Sequence, residues 1–392
     1  MKIALHQFLL SLFVLLCCSC GGKAPSNNNE ETRPTIMPEV FAMADSIMAR
    51  KPETYGSWNY ETGTVLRGFQ ELYEHSGEEK YFQYIKSTVD SVVSQNGTIR
   101  SYDETDYNLD EIKQGSQLLY LFEKTQDERY KLAAEKLKQQ IQNQPRTQSG
   151  GFWHKNKYPN QMWLDGLYMA QPFYTHYSVL FDETENFDDV MLQLTMMEEK
   201  SYDSTTGLLF HAWDESRNAN WANSESGQSP VFWGRSMGWY LMALVDVLDF
   251  WPEADSEKRT LLIQILERLV VSLQPYQDSQ GLWWQVTDEP YNNQNWQESS
   301  ATAMYTYAIA KGVRKGYLDN THMEMAILAW EGLNTVFVNK VNELTNLAGV
   351  CEGTGVGSSA GFYYGRRALT NDPKGLGPYL LAGIEMSLSS TR

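Results

Sequence analysis

Residues 108–144 read NLDEIKQGSQLLYLFEKTQDERYKLAAEKLKQQIQNQ, and the pattern they set recurs along the chain. The first half, Asn108–Lys124, is apolar on most sides. The second half, Asp127–Gln144, confines its apolar residues to one stripe and carries charge elsewhere. A helix apolar all round belongs between layers, whereas an amphipathic one turns a single stripe inward. The apolar kind returns at Thr62–Ser76, Asp165–Phe181, Val231–Trp251, Trp296–Gly316 and Gly375–Leu388. The amphipathic kind returns at Met37–Arg50, Glu78–Gln95, Glu185–Lys200, Ser256–Gln274 and Thr321–Lys340. The two kinds alternate strictly, and strand signals are scarce. Glu78-Glu79-Lys80-Tyr81 and Asp127-Glu128-Arg129-Tyr130 open two amphipathic helices in the same way. An open solenoid of helix pairs would share this pattern. Six hairpins closed into a toroid leave no exposed ends, so the expected fold is all-α: an (α/α)6 barrel with an inner ring wrapped by an outer one.

The N-terminus is read differently. Lys2 precedes an apolar run, Phe8–Leu16, that is too short to span a bilayer permanently. Leu16-Cys17-Cys18-Ser19-Cys20-Gly21-Gly22 follows and resembles a bacterial lipobox with Cys20 as the lipidated residue. Residues 1–20 are thus expected to be a lipoprotein signal region, 21–36 a polar disordered tether, and 37–392 a single barrel domain. That places the protein in the bacterial cell envelope, attached to the membrane through its lipid alone. Only Cys351 then remains as a thiol in the folded part, so no internal disulfide is expected and stability must come from a large core.

The net charge of -17 argues against binding nucleic acid or an anionic membrane through bulk charge. It would also repel an acidic sugar unless local cations receive it. Aromatic residues make up 13% of the chain, a supply suited to sugar platforms or equally to a large core. Ser149–Trp163, Thr205–Pro230 and Leu282–Asn295 are long loops rich in Trp, His, Asn and Asp, the kind of segment that carries function on a rigid scaffold.

Three constellations could carry chemistry. In Gln161-Met162-Trp163-Leu164-Asp165-Gly166 a single carboxylate stands between an indole and an apolar helix start. A helix N-cap would explain it. Alternatively, desolvation raises its pKa and keeps a proton available for general-acid work. Asp110 stands likewise at the start of an apolar helix, with Glu111 as its solvated neighbour; two acids at one mouth of a toroid are the usual equipment for splitting glycosides. His211-Ala212-Trp213-Asp214 and Trp233-Gly234-Arg235-Ser236-Met237-Gly238-Trp239 form the third. Arg235 can clamp a carboxylate with two parallel bonds, the flanking indoles can stack on a sugar, and the glycines allow close approach. His176 reads as a core residue. The six His show no metal spacing, so neither metal nor organic cofactor is expected. Gly357-Ser358-Ser359-Ala360-Gly361 fits a nucleophile elbow only formally, since no strand precedes it.

Trp163-Leu164-Asp165-Gly166-Leu167-Tyr168-Met169, His211 with Asp214, the segment Trp233–Trp239 and the tail Asn371–Ala382 together resemble the unsaturated rhamnogalacturonyl hydrolases, glycoside hydrolase family 105, which are related to the unsaturated glucuronyl hydrolases. The likeness spans roughly residues 37 to 390. It implies an (α/α)6 barrel acting on an anionic oligosaccharide whose terminal 4,5-unsaturated galacturonyl residue was left by a lyase. It implies hydration of the double bond rather than attack at the anomeric carbon. Asp165 would protonate C4 and then serve as base while water adds at C5; Asp110 would orient the water or the ring. Arg235 and His211 would hold the sugar's polar groups, Trp163, Trp233 and Trp239 would be platforms, His154 and Lys155 further polar contacts, and Tyr60 a wall. Two alternatives stay open: a polysaccharide lyase on a similar toroid, and a non-catalytic glycan-binding lipoprotein.

Overall fold

The computed structural model describes residues 35–390. Cys20, the signal region and nearly all of the tether lie outside them. At the tether's end Ile36 is already buried in the core.

Among the described residues the α-helices are α1 (Pro38–Arg50), α2 (Tyr60–Ser76), α3 (Glu79–Asp90), α4 (Gly115–Thr125), α5 (Glu128–Asn143), α6 (Leu164–Leu180), α7 (Phe187–Ser201), α8 (Gly234–Phe250), α9 (Ser256–Leu273), α10 (Ser299–Arg314), α11 (Met323–Gly332), α12 (Ala360–Tyr364) and α13 (Pro373–Ser390). With the five-residue α12 set aside, these are the twelve helices expected. Helices α2, α4, α6, α8, α10 and α13 each pack on the next, and α13 packs back on α2. That last contact closes the ring, which the alternation left open. The remaining six lie outside, for example α3 against α2 and α4, and α11 against α10 and α13.

The local reasons are those of helix chemistry. In α5 the buried residues Tyr130, Ala133, Ala134, Leu137 and Ile141 fall on one stripe. Helices α8 and α10 are buried on almost every side. Asn59 caps α2 by accepting from the Thr62 N–H, and Gly77 ends it in the left-handed region at φ 71°.

The departures are at the ends. Asn108–Lys124 splits into a 3₁₀ turn, Leu109–Glu111, and α4. Helix α11 ends eight residues before Lys340: a π-turn leads into a hairpin of β3 (Val338–Val341) and β4 (Leu344–Leu347). Short strand pairs also form between β1 (Gln161–Trp163) and β2 (Ala212–Asp214), and between β5 (Val350–Cys351) and β6 (Ala368–Leu369). These pairs tie loops of the inner helices together and do not alter the all-helical layers.

The inner ring also holds charge. Asp246 of α8 accepts from Lys311 Nζ (2.7 Å) and Tyr307 Oη (2.5 Å) of α10, and Arg67 of α2 stands 3.8 Å away. Buried charges persist only when paired in this way. Lys113, just before α4, is fully buried with its ammonium 3.7 Å over the Tyr168 ring, and burial pushes it down to about 7.

Candidate active site

Four of the six inner helices, α2, α6, α8 and α13, begin around one hollow. Tyr60 is the first residue of α2; Asp165, Arg235 and Lys374 are the second residues of α6, α8 and α13. With Asp110, His154, Lys155, Tyr158, Trp163, Trp233 and Trp239, they line a hollow of about 230 Å³. Thr354 and Gly355 complete it from the glycine-rich loop before α12. Helix N-termini carry partial positive charge, and they converge here with three cations, Arg235, Lys155 and Lys374, of which Lys155 is paired with Asp110 and Lys374 with Asp372 and Glu61.

Pairing of β1 with β2 sets Trp163 opposite Ala212, and the Leu164 N–H donates to the His211 carbonyl at 3.1 Å. His211 is thereby carried to the start of α6. Its Nε2 lies 3.0 Å from Asp165 Oδ2, and its Nδ1 lies 2.8 Å from the Tyr363 hydroxyl. Burial raises the Asp165 carboxyl, but its pairing with His211 outweighs it and holds the group below the usual carboxylate range. This corrects the expectation of a proton retained by desolvation: the indole is present, but so is a histidine that the local sequence does not place.

His211 is also relocated. It is fully buried behind Asp165 and does not line the hollow, so its ring meets the carboxylate and is out of reach of anything bound there. Asp214, its neighbour in sequence, is structural: it accepts from the Ser216 and Ala219 N–H groups. Asp165 itself is in the first turn of α6, with Trp163 at the N-cap.

Asp110 accepts from Lys155 Nζ, and His154 Nε2 stands 3.5 Å from it. Burial pushes His154 down to about 4, so its ring is neutral, and it stacks on Trp163 at 4.3 Å. Glycine at 166 suits this packing, because a methyl there would stand 3.0 Å from His154 Nδ1 and press on the ring. Glu111, expected in solvent, is partly buried, and burial pushes it up to about 7.

Arg235 lines the hollow but is not a free clamp. Its guanidinium donates to the carbonyls of Cys351 (2.5 Å) and Glu352 (2.6 Å) and is almost fully buried. Trp163 is already in ring contact with His154 and Tyr158, Trp239 with Tyr168, and Trp233 with His211 and Tyr363. The indoles are therefore wall members held by other rings. Gly234 and Gly238 serve close approach as expected: a Cβ would meet the Trp284 carbonyl at 2.9 Å and Met304 Sδ at 2.7 Å.

Sequence reasoning missed Tyr158, Thr354, Gly355, Lys374 and Tyr363. Lys374 was within reach as part of the tail Asn371–Ala382; the others lie in segments with no periodicity to read. A second hollow of about 310 Å³ adjoins the first through Lys155 and is lined also by Asp106, Asn108, Asn156 and Lys157. Among the described residues no group of three or more His, Cys, Asp or Glu is arranged to hold a metal ion.

Residues 40–389 match the sequence profile described as Glycosyl Hydrolase Family 88. A glycoside hydrolase from family 105 of C. acetobutylicum superposes with a TM-score of 0.87 at 41% identity, covering 91% of this chain and 100% of that one. The unsaturated rhamnogalacturonyl hydrolase YesR of Bacillus subtilis is 25% identical over 331 residues, 83% of this chain and 88% of YesR. The unsaturated glucuronyl hydrolase of Bacillus sp. GL1 shares the fold, with a TM-score of 0.66 at 12% identity over 88% of this chain and 94% of that one.

Proposed function

We propose a substrate and a reaction from one premise: the chain belongs to the family 88 and 105 glycoside hydrolases, the unsaturated uronyl hydrolases. The substrate is an oligosaccharide from lyase-cut rhamnogalacturonan, and the terminal 4,5-unsaturated galacturonyl residue is removed. The observation that carries this reading is Asp165, backed by the buried His211, in the wall of a hollow lined also by Arg235, Lys155 and Lys374.

At rest Asp165 is a carboxylate. An anionic sugar entering the hollow brings a like charge and displaces water, and both raise the affinity of Asp165 for a proton. The pair then holds one transferable proton. Asp165 delivers it to C4 of the alkene while water adds at C5 and returns a proton to the carboxylate, so Asp165 acts first as acid and then as base. The resulting hemiketal opens and releases the next sugar. Asp110, held by Lys155, orients the water or the ring. The leaving sugar occupies the second hollow beside Lys155. Its lining includes Asp106 and Lys157 of opposite charge and two amides, a set of groups that pairs with the hydroxyls of a neutral sugar such as rhamnose.

The test is an ultraviolet trace on unsaturated disaccharides from rhamnogalacturonan, ulvan and glycosaminoglycan digests. Loss of the conjugated-uronate absorbance, fastest with the rhamnogalacturonan product, is expected. A rise in absorbance on uncut polymer would instead make the protein a lyase, and binding without turnover would make it a glycan-binding protein.

A further inference from the structure

We propose that Tyr363 is a positioning residue for the proton that Asp165 handles: its hydroxyl fixes Nδ1 of His211, so that Nε2 faces the carboxylate and is the nitrogen that exchanges a proton with it. The proposal rests on the reading that Asp165 transfers the proton.

Tyr363 lies in α12, outside the hollow and fully buried. Its oxygen is 2.8 Å from His211 Nδ1 and accepts from the Gly357 N–H at 3.1 Å. The ring cannot swing away. It packs on Trp233 and His211, its carbonyl accepts from Gln285 Nε2 at 3.2 Å, and the adjacent Tyr364 is tied to Glu289 and Asn292.

Counting donors fixes the two states. With the imidazole neutral and Asp165 ionised, Gly357 N–H donates to Tyr363, Tyr363 O–H donates to Nδ1, and Nε2–H donates to Asp165, so each of these groups is paired. Burial pushes the Tyr363 phenol well up, which keeps its hydrogen in place for this role. When the pair takes up a proton, the Tyr363 O–H turns away from Nδ1 and gives up that bond, its oxygen accepts from Nδ1–H as well as from Gly357 N–H, and the Nε2 proton is the one free to pass to Asp165. After delivery to the alkene, the proton removed from water returns to Asp165, so the count of protons closes.

The other titratable groups facing the pair are His154 and Lys155 from the loop before β1, Asp110 from the turn before α4, Tyr60 of α2, Arg235 of α8 and Cys351 of β5. None of them is shown bonded to Nδ1 of His211.

Tyr363→Phe keeps the ring and removes the hydroxyl. A buried imidazolium then loses the acceptor of one N–H, whereas the neutral ring loses only a donor to a lone pair. Bonds to charged groups are the stronger, so the protonated pair is the more disfavoured. Activity needs that protonated form, so the fall of kcat with rising pH should move to lower pH by about one unit, a tenfold change in proton affinity. KM should stay within twofold of wild type, because Tyr363 does not touch the hollow. An unmoved profile, or a kcat reduced equally at every pH, would overturn the proposal. Nitrogen NMR of the wild-type His211 ring gives a test that needs no variant. In the unloaded state above the pH of that fall, the proton should sit on Nε2, and a proton found on Nδ1 would equally overturn the proposal. Should the wild type turn over no unsaturated uronide, the functional reading fails, while the NMR result still decides what Tyr363 does.

Discussion

Replacing Asp165 with Asn probes the chemistry most directly. The amide keeps the shape of the side chain, and its oxygen can still accept from His211 Nε2 across the 3.0 Å gap. It cannot carry a proton. General acid–base groups contribute about 10²–10⁴ in rate. Asp165 is used twice in one turnover, so the loss should lie near the upper end, roughly 10⁴-fold in kcat or about 5.5 kcal/mol. The fold should barely notice. A charge-assisted bond becomes a neutral one, a change of about 1 kcal/mol, which shifts Tm by only a few degrees in a chain of this size. Binding should hold or tighten, because one negative charge leaves a hollow that receives an anion. The assay is the loss of uronate absorbance under saturating substrate, with Kd taken from calorimetry on the variant. Turnover within tenfold of wild type, at unchanged helix content, would remove Asp165 from the mechanism.

Arg235→Ala should act on the fold as well as on the substrate. It strips the carbonyls of Cys351 and Glu352 of their donor, so a loss of about 3 kcal/mol in unfolding free energy is expected alongside a raised KM; a raised KM at wild-type stability would mean that the loop does not depend on this guanidinium. Lys113 is buried with its ammonium held down to about 7, against an ordinary lysine near 10.5. Between those values the unfolded chain binds the proton that the folded chain rejects, so Lys113 makes stability rise with pH over that window, by about 5 kcal/mol at most. Lys113→Met should flatten that slope in denaturant titrations at pH 7 and pH 9.5, and an unchanged slope would place the titration elsewhere. Asn156→Ala combined with Lys157→Ala should lower kcat/KM about tenfold for a substrate with an intact leaving sugar and leave a methyl-glycoside analogue untouched. Equal effects on both would show that the second hollow does not hold the leaving sugar.

Periodicity is a local property, and the sequence displayed it plainly. Alternation of all-apolar and one-striped helices announced two rings, and the motifs around Asp165 and Arg235 announced the mouth of the barrel, because a helix start and its flanking indoles are contiguous in the chain. What is not contiguous escaped. That the ring closes was decided by α13 meeting α2, residues more than three hundred positions apart. Whether Asp165 keeps or sheds its proton depends on His211, which a strand pair brings from 46 positions away. Tyr363 stands a further 152 positions beyond that histidine. A carboxyl's charge state is set by the groups packed against it within a few ångströms. Spacing along the chain can nominate such a group, but only folding chooses its neighbours, and here that choice turned a shielded acid into a resting carboxylate.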